Sequence, residues 1–183
     1  MVLVIAVVIV GLLVLGFTMA YLLPQISFAN AQSQASNIAK SSTISVGPLL
    51  VNKTTDVGSM VMVYNNPSVR GNVYIVAFLE PSYLEPSVGL LTPSPSSTPS
   101  FEVYFPNGTE AKQVLINTVY DVGGQEIYYN PGQPLIAYQI PFNTPVTIKV
   151  SGVGNNEILV VWVLYNPGYW FRVGYTFTGV VPS

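Results

Sequence analysis

Residues 1–40 read MVLVIAVVIVGLLVLGFTMAYLLPQISFANAQSQASNIAK, and not one of the first 39 carries a charge; Lys40 is the first. From Met1 to Leu23 the run is apolar except for Gly11, Gly16 and Thr18. A helix needs about 20 such residues to cross a hydrocarbon layer. Beyond Pro24 the chain turns mildly polar but keeps helical spacing, with small or apolar residues at Ile26, Ala29, Ser33, Ser36 and Ala39. The expected element is one long helix over residues 1–40, with Pro24 as the place where it can kink.

Working outward, the rest of the chain reads as β-structure. Val146–Val150 alternates strictly, and Phe171, Val173, Tyr175 and Phe177 are predicted to share one strand face opposite Arg172, Gly174, Thr176 and Thr178. Val73–Leu79 and Ile158–Tyr165 are unbroken apolar runs, as expected of strands covered on both faces. Further strands are predicted at Ile44–Val51, Ser59–Tyr64, Phe101–Phe105, Lys112–Tyr120 and Leu135–Ile140. Turn signals separate them at Asn66-Pro67, Asn107-Gly108, Gly123-Gly124, Asn130-Pro131-Gly132, Gly154-Asn155 and Asn166-Pro167-Gly168. The predicted fold class is α+β: a long hydrophobic N-terminal helix (1–40) followed by an all-β, immunoglobulin-like sandwich (41–183). Leu91–Ser100, rich in Pro, Ser and Thr, is expected to be an extended loop.

Composition narrows the chemistry. Only 8% of residues are charged, against roughly 25% in an ordinary soluble domain. A net charge of −2 gives no electrostatic footprint for nucleic acid. With no Cys and no His, disulfides, thiolate or imidazole metal sites and Ser-His-Asp chemistry are excluded. Glu80 and Glu85, five apart among prolines, are read as solvated loop acids and not as a glycosidase pair. Catalytic, metal and cofactor sites are therefore not expected, and covalent glycans are the only non-protein groups anticipated.

Three readings compete for the apolar segment. A secretory signal would be shorter and preceded by basic residues, although Ala29-Asn30-Ala31 resembles a cleavage site. A single-span anchor of a cell-surface binding domain explains the apolar run, but not why residues 24–39 stay uncharged. A polymerisation helix explains both. Where many copies bundle along one axis, an unpaired charge would be desolvated at a cost of several kcal/mol. Val4, Val8, Gly11, Leu12, Leu15, Gly16, Met19 and Leu22 are the residues expected to pack between copies. Small residues from Ala6 to Ala35, including Ala29 and Ala31, allow close approach.

This pattern, a Met-Val-Leu-Val-Ile-Ala-Val-Val-Ile-Val-Gly-Leu-Leu-Val-Leu-Gly start, a Gln/Ser/Ala/Asn-rich extension and an all-β remainder, resembles mature archaeal type IV pilins, adhesion pilins above all. The resemblance implies cleavage by a prepilin peptidase ahead of the helix, storage in the membrane, and extraction by pilus assembly machinery into a homopolymer whose β domains coat the filament. The glutamate near the N-terminus of bacterial pilins is missing, which fits the archaeal branch. The Gly/Thr-rich start of archaellins is missing as well, so an adhesive filament is expected over a motility filament.

Two sequons, Asn52-Lys53-Thr54 and Asn107-Gly108-Thr109, are candidate N-glycosylation sites, and Thr92, Ser94, Ser96, Ser97 and Thr98 (with Ser100) are candidate O-glycosylation sites. Tyr128, Tyr129, Trp162, Tyr165, Tyr169, Trp170 and Phe171 read as core and lateral packing, with an adhesive aromatic face as the alternative.

Overall fold

The computed structural model describes residues 1–81, 100–154 and 156–181. Helix α1 (Val2–Phe17) runs through a π-helical turn at Thr18–Leu22 into α2 (Leu23–Ser41), giving one helical rod. Val and Ile dominate α1 and would favour strand in water. In an apolar surrounding only a helix satisfies every backbone group within the segment. The expected irregularity at Pro24 takes the form of this π turn, in which the Leu23 N–H donates to the Thr18 carbonyl. Pro24 has no N–H to continue the ladder and its ring would crowd the carbonyl four residues back. A wider turn just ahead of it relieves that conflict. The rod ends at Ser41, where Ser42 turns extended.

Among the described residues twelve strands follow: β1 (Thr43–Val46), β2 (Leu49–Asn52), β3 (Val57–Asn65), β4 (Asn72–Pro81), β5 (Phe101–Tyr104), β6 (Lys112–Ile116), β7 (Thr118–Asp121), β8 (Glu126–Tyr129), β9 (Leu135–Pro141), β10 (Val146–Ser151), β11 (Glu157–Tyr165) and β12 (Phe171–Val181). One sheet contains β5-β10-β3 with β1 and β2 on the far edge of β3. The other contains β12-β11-β4-β9-β6, all antiparallel. Strand β12 belongs to both layers. Its start pairs in parallel with β7 (Phe171 with Tyr120) and its end with β2 (Val180 with Leu49). The result is the helix-plus-sandwich architecture expected from the sequence.

The layers enclose one core of Met60, Met62, Tyr64, Val73, Ile75, Val103, Ile148, Leu159, Val161 and their neighbours. A second core lies on the outer face of the β4–β11 sheet, built from Val76, Phe78, Val160, Trp162 and Leu164 and covered by Val119 and Tyr128 of the β7–β8 hairpin. Both apolar runs are therefore buried on two faces, as their composition required.

Three predicted strands change and one unforeseen strand is added. Gly47-Pro48 splits the expected strand Ile44–Val51 into β1 and β2, because proline cannot donate to a ladder. Asn117 divides Lys112–Tyr120 into β6 and β7, and β8 was not foreseen. The predicted common face of Phe171, Val173, Tyr175 and Phe177 is broken by a bulge opposite Val163/Leu164. Phe171 and Val173 stay in the inter-sheet core. Past the bulge, Tyr175 pairs with Trp162 and Phe177 with Val160, on the opposite face, 47% and 39% exposed. An extra residue in one strand inverts the alternation beyond it. Gly174 sits at this bulge, where an added Cβ would lie 3.0 Å from Cδ1 of Ile44 and 3.3 Å from Cε2 of the buried Tyr64. Gly174→Val is expected to destabilise the domain by about 1–3 kcal/mol through overpacking, read as a lower urea midpoint.

Candidate functional site: the bare helix and its socket

The helix is covered very unevenly. No residue of α1 is buried. Val4 (65% exposed), Val8 (55%), Leu12 (63%), Leu15 (60%) and Met19 (60%) all lie open, as does Leu22, and nothing stands within 4 Å of the Cβ direction of Gly11 or Gly16. All eight residues predicted to pack between copies thus present free surface in the single chain. The run of large exposed side chains from Met1 to Ile26 exceeds anything a monomeric soluble protein ordinarily leaves uncovered. Val2–Ser41 is, by length and composition, able to cross a membrane.

The last turns of α2 are different. Ala31, Ala35 and Ile38 are buried in the inter-sheet core. This corrects one reading: Ala31 and Ala35 serve the chain's own β domain instead of a neighbouring helix. Phe28 plugs an aromatic socket, its ring centroid 5.0 Å from Tyr120, 5.1 Å from Tyr169 and 5.5 Å from Phe171. Gln32 Nε2 donates to the Val122 carbonyl at 3.1 Å.

A buried amide locks the end of the helix. Asn66, 1% exposed, donates through Nδ2 to Ser41 Oγ (2.9 Å) and Ser42 Oγ (3.0 Å), and its Oδ1 accepts from the Ser68 N–H. Its backbone N–H donates to Asn143 Oδ1 at 2.7 Å, and its carbonyl accepts from Asn143 Nδ2 at 2.9 Å. Asn143 holds a left-handed backbone, φ +62°, which asparagine tolerates better than most residues. Every polar group of Asn66 is satisfied, as a buried amide requires. The helix therefore enters the β domain at a fixed angle.

The remaining predicted residues distribute as follows. Asn52, the last residue of β2, and Asn107, in a turn, are both exposed; Asn52 Oδ1 accepts from the Thr54 N–H, and Asn107 Oδ1 from the N–H and hydroxyl of Thr109. Thr92, Ser94, Ser96, Ser97 and Thr98 lie outside the described residues, as does Glu85. Glu80 is not a loop acid: it is on β4, 8% exposed, and burial pushes its carboxyl upward. The aromatic residues do not converge on an open face. Trp162, Phe171 and Tyr128 are buried, Tyr165, Tyr169 and Trp170 half-buried, and Tyr129 alone stands 64% exposed. The core reading holds for Trp162, Phe171 and Tyr128. Sequence reasoning missed Arg172, buried with its guanidinium 5.0 Å from the ring centroids of both Trp162 and Tyr175. Burial lowers its pKa from the usual value. Among the described residues, no three His, Cys, Asp or Glu side chains gather as a metal site.

No family model matches this chain, and no curated protein sequence does. Among solved structures, a lipoprotein from Bacteroides thetaiotaomicron is 10% identical, with a TM-score of 0.39 over 78% of this chain and 80% of that one. A conjugative transposon lipoprotein from Bacteroides eggerthii is 11% identical, with a TM-score of 0.35 over 75% of this chain and 96% of that one. Similarity that loose carries no function across.

Proposed function

We propose that this chain is a structural subunit of an extracellular type IV-like pilus of the archaeal kind, polymerising through α1 and serving surface adhesion. One observation carries the reading: a helix without charge up to Lys40 is bare from Met1 to Ile26 and socketed in the β domain from Phe28 onward. A bare apolar helix needs a partner, and a rigid socket gives every copy the same geometry. Identical geometry is what a helical polymer demands of a heterologous contact. Before assembly the helix rests in the membrane. Prepilin peptidase and assembly machinery are the partners this route requires, and the final partner is the same helix in other copies. Transfer from lipid to protein yields little net hydrophobic gain, so cohesion depends on close packing at Gly11 and Gly16. The proposal assigns the chain no catalysis, cofactor or nucleic acid.

Electron microscopy of material sheared from the cell surface tests it. Filaments containing this chain are the expected result. Lone molecules with the helix still in a bilayer would favour the anchored binding domain instead. Glycans at Asn52 and Asn107 belong to the same proposal, since hydrated sugars would suit a coat with so few charges. The intact mass of the subunit is expected to fall by at least one glycan on deglycosylation, and an unchanged mass removes the modification.

A further inference from the structure

The outer faces of the two sheets differ. That of the β4–β11 sheet is covered by the β7–β8 hairpin. That of the β10-β3-β2 sheet has no such cover among the described residues, yet it holds large apolar side chains: Leu50 is 56% exposed and Val61 50%.

Pleat and register show what stands beside them. Strand β2 alternates, with Leu49 and Val51 buried and Leu50 and Asn52 exposed. Leu50 pairs with Ser59, and Asn52 with Val57. Residues opposite one another share a face, so Asn52 and Val57 lie next to Leu50 and Ser59, with Val61 one pleat farther along β3. Asn52 and Leu50 are about 7 Å apart along the strand. Between the strands and the turn is an open groove of about 510 Å³. It is lined by Leu50, Val57 and Ser59 and by all three residues of the sequon, Asn52, Lys53 and Thr54. Apolar walls with a few polar groups are the usual make-up of a small-molecule site, and such sites span about 300–1,000 Å³.

The β2–β3 turn holds the asparagine in place. The Asp56 N–H donates to the Asn52 carbonyl at 2.8 Å, and Asn52 Oδ1 accepts from the Thr54 N–H at 2.9 Å. Nδ2, the atom to which a sugar is joined, has no hydrogen-bond partner among the described residues. Asn107 offers the contrast. It sits in a turn between exposed Pro106 and Gly108, and nothing stands within 4 Å of the Cβ direction of Gly108.

We infer that the groove beside Asn52 is the seat of the saccharide joined to Asn52, whose first ring lies on Leu50 and Val57. The inference rests on the N-glycosylation included in the proposed function. A sugar ring has apolar C–H faces and a polar rim, and the groove offers apolar walls with Lys53, Thr54 and Ser59 at its border. The covalent tether makes the contact intramolecular, so weak packing suffices to keep it occupied. Seating the sugar takes out of water an apolar strip that would otherwise invite association between β domains.

Full-length subunits, dispersed as monomers in detergent, would be oxidised with hydroxyl radicals and read residue by residue by mass spectrometry. Leu115, 62% exposed on β6, is the reference. Labelling follows accessible area, so Leu50 is expected to be oxidised about threefold more slowly in the unsubstituted chain than in Thr54→Ala, which lacks the sequon. Leu115 is expected to react equally in both. Asn52→Gln, a second glycan-free variant, is expected to match Thr54→Ala, whereas Thr109→Ala, which removes the Asn107 sequon, is expected to leave Leu50 protected. A sugar on Asn52 with Leu50 oxidised equally in every variant overturns the seat and spares the glycosylation. Asn52 without a sugar overturns both. Protection of Leu50 that appears only in intact filaments, and equally in Thr54→Ala, assigns the face to a neighbouring copy and overturns the inference.

Discussion

A chain beginning at Ser27 is expected to fold, stay soluble and unfold cooperatively, whereas one beginning at Ser41 is expected not to fold. The first removes a segment that contributes nothing to the β domain, since no large side chain before Phe28 is buried. It also removes the apolar surface that drives association. The second deletes Ala31, Ala35 and Ile38 from the core and Phe28 from its ring socket. Losing the buried Ile38 alone costs about 2–5 kcal/mol, and the half-buried Phe28 and the two alanines add to it. Asn66 would keep its buried Nδ2 group without Ser41 or Ser42 in their native place, adding about 1–3 kcal/mol. The sum reaches the whole stability of an ordinary domain, about 5–15 kcal/mol. Near-ultraviolet circular dichroism and urea titration of the two truncations check this. A native-like transition from the shorter chain would show that the helix merely leans on the sandwich.

The helix surface itself should separate the two uses of an apolar rod. Val8→Asp or Leu12→Asp is expected to abolish filaments while the urea midpoint of the β domain stays unchanged. At the centre of a helix bundle the new carboxylate is buried without a partner, a cost of about 3–5 kcal/mol per copy. The same change penalises membrane insertion by about 2.5–3.5 kcal/mol, so by itself it would not tell polymer from anchor. Gly11→Leu and Gly16→Leu do. Both positions are open in the single chain, and leucine makes the segment more apolar, so anchoring is undisturbed. If copies pack closely there, each leucine overpacks the contact by about 1–3 kcal/mol, repeated at every subunit. Membrane-integrated chain without filaments is the expected phenotype, scored by electron microscopy and membrane fractionation. Filaments of normal length from Val8→Asp would count decisively against polymerisation through α1.

The parts of the molecule legible without coordinates are those where one physical demand dominates a whole segment. Residues 1–23 are helical because an apolar run of that length has no other way to satisfy its backbone, and residues 24–40 keep helical spacing. The runs at Val73–Leu79 and Ile158–Tyr165 are two-sided strands because no polar alternation interrupts them. What stayed hidden depends on single residues whose meaning is set by distant neighbours. The bulge at Val173 sends Tyr175 and Phe177 to the other face, and Gly174 is the one local sign of it. In α2, the alanines and serines hold nearly equal apolarity on every face, so periodicity cannot choose Ala31, Ala35 and Ile38. The β domain chooses them, because the aromatic socket for Phe28 and the amide of Asn66 fix the helix rotation from outside. The charge-free helix was thus determined by the sequence alone. Which half of it remains bare was decided only in three dimensions, where residues more than ninety positions apart close the core over one half and leave the other without a partner.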